Sequence, residues 1–101
     1  MIKKLLDGYF SFQDKYFNNE SNDIYKKLVE KGQKPHTMVI GCADSRVDPA
    51  NIFNSAPGEL FVIRNVANLV PAYSNKNSLD NSVSSALDFA VNKLFIKNII
   101  I

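Results

Sequence analysis

Two hydrophobic spacings alternate along this chain, one of helical period and one of continuous short runs. Between residues 2 and 18, apolar side chains recur at 2, 5, 6, 9, 12, 16 and 17. That spacing predicts a helix with an aromatic stripe. Tyr9, Phe12 and Tyr16 read as packing surface rather than as a cofactor box, on an arm suited to a partner subunit. A second helix is predicted at about 23–31, with Ser21 or Asn22 as its cap, Asp23 in its first turn and Gly32 just past its end. After the loop 32–35 comes Met38-Val39-Ile40, an uninterrupted apolar run that predicts a short strand buried on both faces. Asp48 and Pro49 mark the cap and first residue of a short helix at about 49–54. Ala56-Pro57-Gly58 is a turn. The run 60–63 predicts a second buried strand, and it ends in Arg64 and Asn65. Residues 65–77, with Pro71 and several asparagines, read as a loop. Ser78 or Asn77 starts a long helix to about Phe95, with apolar positions 79, 83, 86, 87, 90, 91 and 94. Residues 98–101 read as a third strand just begun, so the sequence is expected to stop inside a longer fold.

Strand, helix, strand, helix, strand is the order of an α/β fold: a parallel β-sheet with crossover helices, here with an N-terminal helical arm and incomplete at the C-terminus. The 101 residues suit a single domain with one modest core. A content of 46% hydrophobic and 22% charged residues is that of a globular chain. The net charge of +2 is small and the lysines are scattered, which argues against nucleic-acid binding. No apolar run is long enough to span a membrane, and the start of the chain is not a signal peptide. The single cysteine excludes an internal disulfide and suggests a reducing, cytoplasmic setting.

Chemistry concentrates just past the first strand, where Cys42, Asp44 and Arg46 stand at alternate positions. Ligands of open parallel sheets sit at the carboxyl ends of strands. The cysteine supports three readings. It can be a small buried thiol. It can be a thiolate nucleophile, although the three residues between Cys42 and Arg46 include no glycine and leave little backbone to wrap an oxyanion. It can be a zinc ligand beside a carboxylate. The only histidine, His36, lies six residues upstream, roughly 20 Å away along an extended segment at about 3.3 Å per residue. It reads as a polar residue at the start of the strand, not as a fellow ligand. Spacing alone therefore supplies one soft ligand and one carboxylate, too few for a four-coordinate site.

The motifs Cys42-Ala-Asp-Ser-Arg-Val47, Gly58-Glu-Leu-Phe-Val-Ile-Arg-Asn65 and Val66-Ala-Asn-Leu-Val-Pro71 resemble those of the β-class carbonic anhydrases. The similarity continues upstream in residues 32–35 and downstream in residues 85–91 and 97–101. The resemblance implies reversible hydration of carbon dioxide to bicarbonate by a zinc-bound hydroxide, with zinc (Zn2+) held by two cysteines and a histidine. It matches Cys42 to the first cysteine. It matches Asp44 to an aspartate that either takes the fourth zinc position or pairs with Arg46, and gives the pair a role in orienting the hydroxide. Gln33 matches a glutamine that reaches toward substrate; Phe61 and Val66 match apolar positions of a dry pocket. Arg64 takes a structural role at a subunit interface. The family's N-terminal arm wraps a partner, so a homodimer or higher homo-oligomer is implied.

Two departures stand out. Phe89 replaces a tyrosine common in the family, and a His-x-x-Cys segment expected after the third strand lies past Ile101. The chain is then expected to be inactive alone. The simpler readings are a turn-capping Asp44, a surface ion pair at Arg46, an ordinary loop residue at Gln33 and a core Phe61. The competing function is non-catalytic: a truncated remnant, or a dimerisation module acting through helix 2–18. A nucleotide-binding sheet is disfavoured because neither strand-end loop is glycine-rich.

Overall fold

A computed structural model describes residues 1–73 and 81–101. The chain divides into two compact units, Met1–Gln33 and Lys34–Ile101.

The first unit holds helices α1 (Ile2–Tyr16) and α2 (Ile24–Lys31), neither of which contains a buried residue. Its internal order comes from rings. Tyr25 of α2 lies 5.4 Å from Phe12, 5.1 Å from Tyr16 and 5.5 Å from Phe17, centroid to centroid. Such pairs contribute about 0.5–1.5 kcal/mol each beyond the area they cover. The stripe predicted as packing surface thus packs in part, while Tyr9 remains half exposed beside Phe10. The cap of α2 is Asp23, not Ser21 or Asn22. The Asn19 carboxamide oxygen accepts both the backbone N–H and the hydroxyl of Ser21, and the Asn22 N–H bonds the Asn19 carbonyl. The Ser21 hydroxyl and the Asn22 backbone N–H are therefore engaged in the preceding turn, and Asp23 pairs with Lys27 at 3.4 Å. Gly32 follows α2 at a φ of 77° and a ψ of 163°, a backbone region open to glycine and costly for a residue with a Cβ.

The second unit is built on β1 (Thr37–Cys42), α3 (Pro49–Ile52), β2 (Leu60–Asn65), α4 (Ser82–Asn92) and β3 (Asn98–Ile100). The sheet order is β2-β1-β3 and both pairings are parallel. The central strand carries the core. Met38 and Ile40 are 0% and 1% exposed and cluster with Val83 and Ala90 of α4, with Phe61, Ile63, Ala86, Leu87 and Ile96 packed around them. Alternation sends Val39 to the opposite face, where it too is buried.

The outer strands depart from expectation. Val62 is 40% exposed, and Ile99 and Ile100 are 45% and 41% exposed. Among the described residues, β1 is the strand with a neighbour at each edge, and its Met38, Val39 and Ile40 are buried. α3 forms as its sequence predicts: Asp48 accepts the Ala50 N–H at 3.0 Å and Pro49 takes the first helical position. Its end at Ile52 is earlier than predicted. Gly58, at a φ of 89°, completes the turn 56–59. The cap of α4 is Asn81, which accepts the Ser84 N–H at 2.8 Å. The expected starts Asn77 and Ser78, and the apolar Leu79, lie outside the described residues. The helix stops at Asn92, before Phe95, because Phe95 takes a φ of 54° and turns the chain toward β3.

Candidate functional site

Parallel pairing brings the carboxyl ends of β1 and β2 to one edge of the sheet. The register sets Gly41 beside Arg64 and Cys42 beside Asn65. Three functional groups of the sequence motif, Cys42, Asp44 and Arg46, leave this edge on one short loop.

Cys42 is a free, partly exposed cysteine. Its sulfur accepts the Asp44 N–H at 3.4 Å. The Asp44 N–H, and after it that of Ala67, hold the thiol below its ordinary range. Hydrogen bonds to the charged form favour it, so the thiolate needed for metal binding or nucleophilic attack is the form this loop favours.

Asp44 is held by one partner through three bonds. Its Oδ1 accepts the Arg46 backbone N–H at 2.9 Å and Nε–H at 3.0 Å, and its Oδ2 accepts from Nη2 at 2.7 Å. The Arg46 side chain, then its backbone N–H, keeps the Asp44 carboxyl below the usual carboxylate range, with Arg64 adding positive charge nearby. The same pairing raises Arg46. The Arg46 side chain is 85% exposed, so solvent weakens the pair as a source of stability. Its consequence is orientation: a forked guanidinium fixes the plane of a carboxylate. Of the alternatives for Asp44, the structure holds the Arg46-paired one.

Two residues absent from the sequence-based site hold these groups in place. Arg64 donates from Nε to the Cys42 carbonyl and from Nη2 to the Asp44 carbonyl, each at 2.7 Å. Asn65 donates from Nδ2 to the Leu69 carbonyl at 2.8 Å and accepts the Leu69 N–H at 2.6 Å. Between them, Ala67 and Asn68 take φ values of 69° and 57°. Left-handed backbone costs about 1–2 kcal/mol at a residue with a Cβ. Among the described residues the Asn68 Oδ1 is buried without a hydrogen-bond partner, an added cost of about 1–3 kcal/mol. The Arg-Asn pair at the strand end was visible in the sequence, but the loops it braces were not.

The remaining predicted residues are more dispersed. Phe61 packs in the core, its ring centroid 5.8 Å from that of Phe89. Val66 is 79% exposed, so a dry pocket there needs a cover beyond these residues. Gln33 is exposed and closes the N-terminal unit. His36 stands at the other end of β1 from Cys42, with Nδ1 2.6 Å from the Thr37 hydroxyl oxygen, as a polar residue at the strand start.

The Cys42 thiolate and the Asp44 carboxylate are both donors that zinc accepts. They fit as half of a tetrahedral set. Among the described residues no three His, Cys, Asp or Glu side chains gather around one point. Nor, among those residues, is any helix long and apolar enough to cross a membrane.

Comparison with known proteins agrees with this edge-of-sheet motif. The family model described as carbonic anhydrase matches residues 37–101. Beta carbonic anhydrase 3 of Arabidopsis thaliana is 34% identical over 99% of the chain, and the carbonic anhydrase of Synechocystis sp. is 37% identical over 99%. The chain spans 37% and 35% of the lengths of these two relatives. Among solved structures, the β-carbonic anhydrase CcaA superposes with a TM-score of 0.82 at 37% identity, over 97% of this chain and 42% of that one. A Coccomyxa β-carbonic anhydrase, solved with acetazolamide, gives 0.73 at 42% identity over 98% of this chain and 41% of that one. One of two tetrameric β-carbonic anhydrases from Sordaria macrospora gives 0.62 at 31% identity, over 96% of this chain and 42% of that one. With its parallel sheet, its motif at the carboxyl edge and a family match over most of its length, this chain belongs to the β-class carbonic anhydrases.

Proposed function

We propose that this chain supplies the Cys42–Asp44–Arg46 portion of a centre for the reversible hydration of carbon dioxide to bicarbonate. The observation that carries the reading is the arrangement at the end of β1: a thiol favoured as thiolate, beside a carboxylate held by Arg46. Cys42 is the proposed zinc ligand, and Asp44 is a second donor when released from Arg46. Zinc, when bound, draws the pKa of a coordinated water toward neutrality.

The other steps belong to the chain's own side chains. While paired, Asp44 has Oδ1 filled by two donors and Oδ2 filled by one. A carboxylate oxygen accepts two hydrogen bonds, so Oδ2 keeps one site for a hydroxyl-bearing reactant. Asp44 thus orients that hydroxyl, and Arg46 keeps the carboxylate ionised so that it only accepts. Gln33 as a substrate-side amide, and Phe61 with Val66 as apolar surface against a nonpolar gas, belong to the same proposal. So do a homo-oligomeric assembly, which the tetrameric relatives support, and a reducing cytoplasmic setting for the free thiol.

A chimera tests the reading. Residues 1–101 replace the matching segment of the Synechocystis carbonic anhydrase, and zinc content and carbon dioxide hydration are measured. Zinc retention and hydration that Cys42→Ser abolishes support it. A folded Cys42→Ser chimera that keeps both overturns it. Two donors out of four also favour a second reading for residues 1–101 by themselves, that of a non-catalytic pairing module. Under it, the isolated chain forms dimers but neither retains zinc nor hydrates carbon dioxide.

A further inference from the structure

The segment from Cys42 to Asp44 carries both donor groups of the proposed centre, and β2 holds it by its main chain. In a trans peptide the C=O and the N–H point opposite ways. The peptide joining Cys42 to Ala43 sends its N–H to the Asn65 carbonyl of β2, at 2.8 Å. Its C=O therefore points away from β2, yet the partner of that oxygen comes from the same strand: Arg64 donates to it from Nε at 2.7 Å. The side chain gets there by crossing β1 at Gly41. Gly41 is the register neighbour of Arg64, and a Cβ placed on it would stand 3.6 Å from Arg64 Cγ and 3.5 Å from Pro49 Cγ. Past Gly41, the second arm of the guanidinium donates from Nη2 to the Asp44 carbonyl at 2.7 Å, an oxygen that also accepts the Val47 N–H at 3.2 Å. One planar group thus spans two carbonyls two residues apart. Between them the Asp44 N–H meets the Cys42 sulfur at 3.4 Å.

We propose that Arg64 is a positioning residue for the Cys42–Asp44 donor pair: its fork fixes the main chain that carries both, so that the Asp44 side chain can leave Arg46 while the segment stays in place. The two arginines act on different parts of one residue. Arg46 bonds the Asp44 carboxylate. Arg64 bonds the Asp44 carbonyl, and the Cys42 carbonyl with it. Losing Arg46 frees a side chain. Losing Arg64 frees the backbone that sets where the carboxylate stands relative to the sulfur. Arginine suits the position because two donors at fixed spacing in one plane match two carbonyls at fixed spacing. A lysine ammonium is a point charge on a flexible stem and does not span them in that geometry. The consequence for a metal is a pair of donors whose main chain is set before the ion arrives. Partners behind a ligand typically change metal affinity by about 10–100-fold when removed.

The metal arm of this inference rests on the proposed reading of Cys42 as a ligand, and the experiment separates the two. The 101-residue chain is labelled with 15N, and amide exchange at Ala43 and Asp44 is followed by NMR in wild type, Arg64→Ala, Arg64→Lys and Asn81→Ala. In parallel each protein, and Cys42→Ser, is titrated with Cd2+ alone, read by thiolate-to-metal charge-transfer absorbance. Asn81→Ala removes the α4 cap and controls for general loss of stability. The expected result is exchange at both amides at least about tenfold faster, and Cd2+ affinity about tenfold weaker, in Arg64→Ala than in Asn81→Ala. Arg64→Lys is expected closer to Arg64→Ala than to wild type in both measures. A folded Arg64→Ala equal to Asn81→Ala in either measure overturns the inference, and so does an Arg64→Lys equal to wild type, since charge without the fork would then suffice. Should Arg64→Ala fail to fold, Arg64→Lys decides by the same comparison. If wild type and Cys42→Ser bind Cd2+ alike, the ligand reading of Cys42 falls, and exchange at Ala43 and Asp44 alone decides the role of Arg64.

Discussion

The Arg46 guanidinium meets the Asp44 carboxylate as a fork, with Nε 3.0 Å from Oδ1 and Nη2 2.7 Å from Oδ2. The two residues are only two apart, so a single loop carries both members of the pair. Because Arg46 is largely exposed, the pair is open to competition from water, salt or a metal ion.

The first prediction concerns pH. The folded-state pKa of Asp44 lies below its unfolded value. The stability this pairing contributes is therefore fully present above the ordinary carboxylate range, and is lost as pH falls through the folded-state value. An NMR titration should find the Arg46 Nε–H slow to exchange at neutral pH and lost only at pH below that ordinary range. Arg46→Ala should move the Asp44 titration upward, part of the way to ordinary values because the backbone N–H of residue 46 and the Arg64 charge remain, with little change in melting temperature. An Asp44 titration unchanged in that variant would show that the guanidinium does not set it.

Arg64 should behave differently from Arg46. Its two 2.7 Å bonds are to backbone carbonyls in a partly buried setting. Removing a charged donor from such acceptors costs about 1–3 kcal/mol. Urea unfolding of Arg64→Ala should find a loss of about that size. Arg64→Lys should recover less than half, because an ammonium does not reproduce the fork. Equal stability of Arg64→Lys and wild type would argue that charge alone matters there.

The difference between the central and outer strands is also measurable. Met38 is fully buried, whereas Val62 is 40% exposed. Met38→Ala should cost about 2–5 kcal/mol, through lost burial and the cavity left behind. Val62→Ala should cost less than about 1 kcal/mol, since much of its surface already meets water. Equilibrium denaturation of the two variants checks the ratio.

Backbone strain gives a prediction of opposite sign. Ala67→Gly removes a Cβ from a residue at φ 69°. Relief of about 1–2 kcal/mol of left-handed strain outweighs the roughly 0.5–1 kcal/mol of extra unfolded-state entropy that glycine brings. A gain in stability of up to about 1 kcal/mol is expected. By contrast, Asn81→Ala should lose about 1 kcal/mol with the cap of α4. Thermal melts of both variants suffice, and a destabilised Ala67→Gly would mean that the turn is not strained.

Much of the fold was legible in the chain because its signals are local. Asp48 before Pro49 marks a helix start by side-chain reach and fixed φ, and it forms as read. Asp23 in place of Ser21 or Asn22 shows the limit, since Asn19 competes for the same local bonds. The strands at 60–63 and 98–101 were recognised by apolar content, but their exposure was not. Apolar content says that a strand can be buried, while neighbours and covering helices decide whether it is. Within the site, Cys42, Asp44 and Arg46 were readable because three functional groups within five residues share one loop. Arg64 and Asn65 were not readable as braces, because their partners lie 20–22 residues upstream and 4 residues downstream across turns of unusual conformation.

By itself the sequence determined the order of strands and helices, the central buried run at 38–40 and the thiol–carboxylate–guanidinium spacing past it. These are properties of side-chain period and short-range bonding. Only the tertiary structure decided that β1 lies between β2 and β3, that Asn65 stands beside Cys42 and that the Arg46 guanidinium meets Asp44 as a fork. Those facts depend on which distant segments share a sheet edge, and no local spacing encodes that.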